Sequence, residues 1–327
     1  MKTAVAVPFE RILCVRAILA ECINVAVCSA AFAGNPAWDD PSVNSEGRLE
    51  ARAYAPVEGD VLPLNGIWRF AWEGSADGRL ASCDPSLEDL PFSIDVPSCV
   101  ETRGWGVPHY VNIKYPHPMT PPKIDPKYNP TMIYRRTFSV PESWRGKRAV
   151  LRFEGVASCC EVWLNGKRAG YFEDSRLPSE FDVTKLIVLG AEGLNSLSVR
   201  VRKWCDGSYL EDQDMIRYAG IFRDVKLYAL PIRGIRDYVF TTIPDAAYRI
   251  WTCRLSVEAE PDSPTVSATL LDAAGGKVGE FVDGTLSLTS PRLWSDEDPY
   301  LHVVEMRCGD DVRRVKVGIR EIGRAHV

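Results

Sequence analysis

The chain has 327 residues, a length typical of two domains, and its 39 Lys and Arg against 44 Asp and Glu give a net charge of −5. That charge argues against an electrostatic nucleic-acid binder, which needs a clustered basic face. The 46% hydrophobic and 25% charged residues exclude a disordered chain, and no apolar run reaches the roughly 18–20 residues that a membrane-spanning helix needs.

The first 33 residues fit two interpretations. Residues 12–32 are largely apolar, and Ala31-Phe-Ala33 has the small-x-small form of a signal-peptidase site. Arg16 and Glu21 interrupt the apolar stretch, however, and a misplaced start codon explains the same segment equally well. Residues 1–33 are therefore either a signal peptide or a spurious upstream extension. The localisation stays open between the cytoplasm and the periplasm or exterior.

Short alternating runs, typical of β-strands, fill the rest of the chain. Asn165-Gly166 separates two of them and predicts a β-hairpin, because both residues tolerate positive φ. Short strands at regular spacing predict sandwiches or barrels. Loop character changes near Pro231, which predicts a domain boundary, and residues 232–320 have the size of an immunoglobulin-like sandwich. The loop between Thr102 and Tyr134 is long and rich in aromatic residues and proline. It is either a functional loop or a proline-stiffened surface loop whose aromatic residues pack on the sandwich.

Cysteine and histidine form no recognisable metal or nucleophile motif. The ten cysteines include no C-x-x-C pair, and the adjacent Cys159 and Cys160 would point to opposite faces of a strand. No two of the four histidines have metal-ligand spacing, and nothing local indicates a Ser-His-Asp triad. We therefore expect buried or half-buried free thiols.

Several longer stretches share one family pattern. They are Asn35-Pro-Ala-Trp-Asp-Asp-Pro41, Leu64-Asn-Gly-Ile-Trp-Arg-Phe-Ala-Trp72, Tyr110-Val-Asn-Ile-Lys-Tyr-Pro116, Glu173-Asp-Ser-Arg-Leu-Pro-Ser-Glu-Phe-Asp182, Trp204-Cys-Asp-Gly-Ser-Tyr-Leu-Glu-Asp-Gln-Asp214 and Pro291-Arg-Leu-Trp294. In this order and spacing they resemble the amino-terminal part of the large bacterial β-galactosidases of glycoside hydrolase family 2. The resemblance implies an all-β chain in three parts: an amino-terminal arm over residues 34–60, a sugar-binding jelly-roll domain over 61–231 and an immunoglobulin-like β-sandwich over 232–320.

In that family a TIM barrel follows and supplies two glutamates, one as acid/base and one as nucleophile. This chain stops where the barrel would begin, so the resemblance implies the front-end fragment of a retaining β-galactosidase, inactive alone and without catalytic residues. Residues 321–327 can be encoded by a DNA string that resembles a sequencing adapter, which predicts a non-native tail. Full-length members of the family form homo-oligomers. We expect a galactoside and the missing domains as partners, and neither nucleic acid nor membrane.

The resemblance also implies site residues. Asn112 would contact the galactosyl unit, and Asp214 would contact a sugar hydroxyl and a sodium ion whose other ligands lie in the barrel. A peripheral magnesium ion would take hard oxygen ligands from Asp40, the backbone of Val43, Glu173 and Asp206. Both ions are expected in the full-length enzyme, and the fragment should bind sodium poorly. Without the resemblance, Asn112 would be a turn residue and Asp214 part of a solvated acidic loop.

Two other interpretations stay open. A stand-alone carbohydrate-binding module would need a complete site, built from aromatic side chains such as Trp105, Tyr110 and Tyr115. The front half of a β-glucuronidase or β-mannosidase would share the architecture, although residues 204–224 look galactosidase-like.

Overall fold

The structure is a computed structural model that describes residues 36–51, 60–111, 115–211 and 214–321. Within these ranges β-strands predominate, and no TIM barrel is present, so the expected all-β fold is confirmed. The helices of the described residues are short: one α-helix, α1 (Arg79–Ser82), and the 3-10 helices Ala37–Asp39, Val100–Arg103, Pro126–Tyr128, Glu142–Trp144 and Asp206–Tyr209. None of them is long and apolar enough to cross a membrane. The predicted leader, and the predicted tail beyond its first residue, lie outside the described residues.

The first β-sandwich, of the jelly-roll type, packs a seven-stranded sheet against a four-stranded sheet. In order across it, the larger sheet contains β1 (Ser45–Glu46), β10 (Lys167–Glu173), β9 (Cys159–Leu164), β12 (Leu194–Arg202), β6 (Thr131–Ser139), β3 (Gly66–Glu73) and β4 (Phe92–Val96). The smaller sheet contains β11 (Ser179–Asp182), β7 (Arg148–Phe153), β15 (Val225–Leu230) and β2 (Asp60–Pro63). Neighbouring strands are antiparallel throughout both sheets.

Alternation along the strands builds the core between these two sheets. In β15, Val225, Leu227 and Ala229 are buried while the residues between them are half-buried, because successive strand residues point to opposite faces. Both sheets contribute large side chains to one core, among them Trp68, Phe70, Tyr134, Leu151, Phe153, Phe172 and Phe181. Removing these large apolar side chains from water is the main source of stability for this sandwich.

The second β-sandwich has seven antiparallel strands in two sheets, as an immunoglobulin-like domain does. One sheet contains β16 (Ile235–Pro244), β17 (Ile250–Ala259) and β20 (Thr285–Thr289). The other contains, in order, β19 (Lys277–Glu280), β18 (Ser267–Leu271), β21 (His302–Cys308) and β22 (Asp311–Val317). Its core is separate from the first and is formed by residues such as Trp251, Cys253, Leu255, Leu270, Val304 and Met306.

Two local predictions from the sequence are confirmed. Asn165 and Gly166 have φ of 53° and 73° and form the turn of the β9–β10 hairpin. The cysteines of the described residues are free, and they are buried or half-buried. Cys160 packs in the core of the first sandwich, whereas Cys159 packs in a smaller cluster on the opposite face of the sheet.

Two short ribbons complete the first sandwich. β5 (His109–Val111) pairs with β13 (Met215–Arg217), and β8 (Val156–Ala157) pairs with β14 (Gly220–Ile221). β5 belongs to the long aromatic loop that the sequence singles out. The β5–β13 ribbon therefore connects that loop to the acidic segment before β13.

Candidate functional site

The β5–β13 ribbon presents Asp214, one of the two predicted substrate residues. Three cross-strand pairs set its register: Met215 with Val111, Ile216 with Tyr110 and Arg217 with His109. The Tyr110 hydroxyl donates a hydrogen bond to Asp214 Oδ1, and both side chains are exposed. The second carboxylate oxygen can accept from sugar hydroxyls or bind a cation. Asn112, the other predicted substrate residue, lies outside the described residues, and its role stays a prediction.

Glu211 holds the segment before Asp214 in place through hydrogen bonds. Its carboxylate accepts hydrogen bonds from the backbone N–H and the hydroxyl of Ser175, at 3.1 and 2.7 Å, and from Arg217 Nη2 at 3.1 Å. The Arg217 guanidinium also donates to the Glu211 carbonyl oxygen. Glu211 is thus a structural acceptor rather than part of a solvated acidic loop. Asp214 differs from it in facing solvent with one carboxylate oxygen free of protein donors within the described residues.

Trp204 forms the base on which the ribbon rests. Its side chain is 1% exposed, and the rings of His117 and His109 lie 5.4 and 6.0 Å from it, centroid to centroid. The Arg217 guanidinium lies 5.5 Å from the indole. The Asn129 amide donates to the Trp204 carbonyl oxygen and accepts from its backbone N–H, both at 2.9 Å. Trp204 is therefore fixed through its backbone and its ring.

Burial favours the neutral form of the histidines around this base, because it lowers their pKa. Burial lowers the pKa of His117. Burial, together with the nearby Lys203 ammonium, lowers the pKa of His109. In the second sandwich, burial likewise lowers the pKa of His302.

We expect the free energy of unfolding to fall as the pH drops below about 6.5, the usual histidine pKa. Below that pH the histidines of the unfolded chain bind protons, whereas the buried imidazoles of the folded chain bind them only at a lower pH. Acid therefore favours unfolding. Each imidazole contributes at most about 1.4 kcal/mol per pH unit. Urea unfolding at about pH 7.5 and about pH 5.5 measures the loss. His117→Phe, which keeps the ring packing, should lose less stability than the wild type, and an equal loss in both proteins would contradict the assignment.

The three aromatic residues of the long loop that a stand-alone sugar site would use differ in their exposure. Trp105 contacts Phe70 and Phe92, with ring centroids 5.4 and 4.6 Å apart, on the edge of the first core. Tyr115 packs against Tyr209 and donates a hydrogen bond to its carbonyl oxygen at 3.2 Å. Tyr110 remains exposed. A sugar-stacking platform needs a free ring face. Two of the three aromatic residues that a stand-alone site would use pack against other protein rings instead.

Exposed apolar side chains occur in the segments that flank the ribbon. Val107 precedes β5, Met119 lies further along the same loop, and Leu210, 88% exposed, precedes the segment that Glu211 fastens. Ile216 is exposed on β13 itself. Contiguous exposed apolar patches are typical of surfaces that another protein part covers.

A buried cluster of metal-ligating groups lies at the end of β10 and directly after Trp204 in the chain. The ligand atoms of Glu173, Cys205 and Asp206 all lie within 4.8 Å of one another. Burial raises the pKa of Glu173 to about 9, and the neighbouring Cys159 and Asp206 add to the effect. Adjacent buried carboxylates favour a divalent cation between them, because it offsets their repulsion and desolvation. The two carboxylates fit magnesium, whereas a thiol suits softer ions.

The other predicted magnesium ligands, Asp40 and Val43, lie in the amino-terminal arm. The Asp40 carboxylate is partly exposed and accepts from the backbone N–H and hydroxyl of Ser42, at 3.0 and 2.7 Å. The Val43 backbone N–H donates to the Asp40 carbonyl oxygen at 2.9 Å. The Val43 side chain packs against the apolar group that contains Cys205. The next residue, Asn44, accepts a hydrogen bond at its carbonyl oxygen from the Glu173 backbone N–H at 3.1 Å. Among the described residues, Glu173 and Asp206 are the predicted ligands whose carboxylates lie within 4.8 Å of each other, and the roles of Asp40 and Val43 stay predictions.

Comparison with known proteins identifies the relatives of this chain. The family model described as glycosyl hydrolases family 2, sugar binding domain, matches residues 61–231. A β-galactosidase from Alteromonas mediterranea is 37% identical over 327 aligned positions, which cover 87% of this chain and 31% of the relative. A β-galactosidase from Vibrio cholerae is 39% identical over 280 positions, which cover 78% of this chain and 27% of the relative. The chain spans less than one third of the length of these relatives.

Solved structures agree on the fold. A β-glucuronidase from an uncultured Clostridium superposes with a TM-score of 0.65 at 23% identity, covering 84% of this chain and 47% of the enzyme. A β-glucuronidase from Ruminococcus gnavus gives 0.66 at 22% identity, covering 83% and 46%. At such identities the likeness shows the shared β-sandwich architecture alone.

Proposed function

Because the chain belongs to glycosyl hydrolase family 2, we propose that it is the amino-terminal part of a retaining β-galactosidase and supplies substrate and ion contacts to its active site. The observation that carries this proposal is the exposed Asp214 carboxylate, held by Tyr110 on the β5–β13 ribbon. Identities of 37% and 39% to β-galactosidases support a galactoside over other glycosides. The contrast between Asp214, which keeps one carboxylate oxygen without a protein donor among the described residues, and Glu211, whose carboxylate accepts three hydrogen bonds, supports a role for Asp214 in binding.

In this proposal the chain binds and orients one side of the sugar. Asp214 accepts a hydrogen bond from a galactosyl hydroxyl and provides one oxygen ligand to a sodium ion. Asn112 can both donate to and accept from sugar hydroxyls. Retaining hydrolysis needs two carboxyl groups about 5–5.5 Å apart, one as acid/base and one as nucleophile. We assign both to a TIM barrel outside this chain, which also supplies the remaining sodium ligands.

The surroundings of the ribbon support an incomplete site rather than a stand-alone binding module. Trp105 and Tyr115 are packed, so Tyr110 is the member of the proposed aromatic set that faces solvent. The exposed Val107, Met119 and Leu210 fit a surface that the barrel or a neighbouring subunit covers. We propose that this surface is buried in the complete homo-oligomeric enzyme.

The test is a substrate comparison on the protein encoded by the longer reading frame recovered from the source DNA. We expect it to hydrolyse nitrophenyl β-galactoside at least about 100-fold faster, in kcat/KM, than the matching β-glucuronide or β-mannoside. The 327-residue chain alone should hydrolyse none of them. A preference for the glucuronide would contradict the assignment of a galactoside as the substrate. Hydrolysis by the chain alone would contradict the placement of the catalytic residues in a barrel outside it.

Magnesium is expected to stabilise the protein through Glu173 and Asp206. At a free concentration about 100 times the dissociation constant, it should raise the free energy of unfolding by about 2.7 kcal/mol. Thermal unfolding of chelator-treated protein with and without magnesium measures the effect. Asp206→Asn should abolish the response. Asp84→Asn, which alters an exposed turn aspartate that accepts from Ser86, should keep it. Equal melting with and without the ion would contradict the site.

A further inference from the structure

A buried ion pair lies where the β5–β13 ribbon joins the sandwich. Glu101, in the 3-10 helix Val100–Arg103, and Lys203, directly after β12, have side chains only 1% and 3% exposed. Lys203 Nζ lies 2.5 Å from Glu101 Oε1. In such a setting each charge depends on the other, because removing one leaves an uncompensated charge away from water.

Each partner also holds one end of the ribbon. Lys203 Nζ donates to the carbonyl oxygen of Val107 at 2.8 Å, just before β5 begins. Glu101 Oε2 accepts from the backbone N–H of Ala219 at 3.0 Å, just after β13 ends. The strand that enters the ribbon and the strand that leaves it are therefore tied to the same two side chains.

We propose that Glu101 and Lys203 are positioning residues that set the orientation of the ribbon and, through it, of Tyr110 and Asp214. An isolated ribbon with three cross-strand pairs is only marginally stable in water, so its orientation depends on its anchors. The pair connects them to the sandwich through charge-assisted hydrogen bonds with fixed geometry. The consequence for galactoside binding rests on the proposed function, whereas the effect on the ribbon does not.

The two partners support each other electrostatically. Burial lowers the pKa of Lys203, and the Glu101 carboxylate opposes that shift. Glu101→Gln leaves the Lys203 ammonium without its counter-charge and weakens its hydrogen bond to the Val107 carbonyl oxygen. Lys203→Met removes the donor to Val107 and leaves the Glu101 carboxylate without a cation. In both variants the ribbon should open locally more often than the sheets do, because the sheets keep their own hydrogen bonds.

Amide hydrogen exchange on the 327-residue chain tests this anchor. In Glu101→Gln and in Lys203→Met, amides of residues 107–111 and 214–219 should exchange about tenfold faster or more. The control is Glu180→Gln, which removes a buried carboxylate 3.0 Å from Arg152 in the smaller sheet, while Glu154 stays 3.0 Å from the same guanidinium. If the exchange rates of the ribbon amides rise no more than they do in this control, the proposal is overturned.

A double variant separates positioning from general stability. Glu101→Gln/Lys203→Met removes both charges, so much of the global stability lost in the single variants should return. Ribbon exchange should nevertheless stay fast, because the tie to Val107 is still missing. Return of ribbon protection together with stability would overturn the proposal.

In the longer enzyme, the double variant should raise KM for nitrophenyl β-galactoside about tenfold, with kcat lowered less. If the wild-type enzyme does not hydrolyse galactosides, the proposed function fails while hydrogen exchange still decides the anchor.

Discussion

Asp214→Asn is expected to lower kcat/KM for nitrophenyl β-galactoside by about 100-fold in the complete enzyme, a loss of about 2.7 kcal/mol in transition-state stabilisation. The substitution keeps the size of the side chain but removes the negative charge. A hydrogen bond from a sugar hydroxyl to a carboxylate is about twice as strong as one to a neutral amide. The amide is also a much weaker sodium ligand. Because Asp214 is exposed, we expect no measurable change in the unfolding of the chain.

Two comparison variants sharpen this test. Tyr110→Phe removes the hydroxyl that holds Asp214 but leaves the carboxylate in place, so a loss of only about fivefold to tenfold is expected. Asp296→Asn alters an exposed aspartate in the second sandwich and should leave kcat/KM unchanged. If Asp214→Asn retained wild-type kcat/KM and sodium dependence, the ribbon would have no part in substrate binding.

Trp204→Ala is expected to lower the free energy of unfolding by about 4 kcal/mol, the largest stability effect that we predict. The indole is almost completely buried, and its removal leaves a cavity between His109, His117 and Arg217. The surrounding chain is held by the Asn129 amide and has little freedom to collapse into that space. Urea unfolding of the wild type and the variant at neutral pH measures the difference.

The matched control is Trp163→Ala on the neighbouring strand β9. Trp163 is half-buried, with the Arg200 guanidinium 5.2 Å from its ring, so its loss should cost only about 1–2 kcal/mol. Equal losses for the two variants would contradict the view of Trp204 as the fixed base of the ribbon. A small loss for Trp204→Ala would show that the site relaxes around the missing ring.

Local chemistry was enough to predict much of the fold. Asn165-Gly166 forms the expected hairpin because few other pairs accept two positive φ angles. Alternation in runs such as Asp224–Tyr228 predicts a strand, and the structure has one at Val225–Leu230. The order of the strands across the seven-stranded sheet is set by contacts between distant residues, and neither propensity nor periodicity contains that information. The second sandwich could be recognised by its size and turns, since its strands follow one another at short intervals.

The candidate site was predictable only in part. Asp214 is named through a family resemblance, because an aspartate in an acidic run would otherwise be expected to be solvated. The Glu101–Lys203 pair leaves no local sequence pattern: its partners are far apart in the chain, and charged residues are usually exposed. Cys205 joins Glu173 and Asp206 only after β10 is placed beside the segment that follows β12. Three-dimensional packing created these groupings.

The most direct test of the account is a calorimetric titration of a non-hydrolysable thiogalactoside into two proteins, the 327-residue chain and the complete enzyme. We expect binding to the complete enzyme to be at least about 100-fold tighter, and sodium-dependent, because the barrel provides the other side of the site. The chain alone should show no saturable binding at millimolar ligand. Equal affinity in the two proteins would contradict the account and identify the chain as a self-sufficient carbohydrate-binding module.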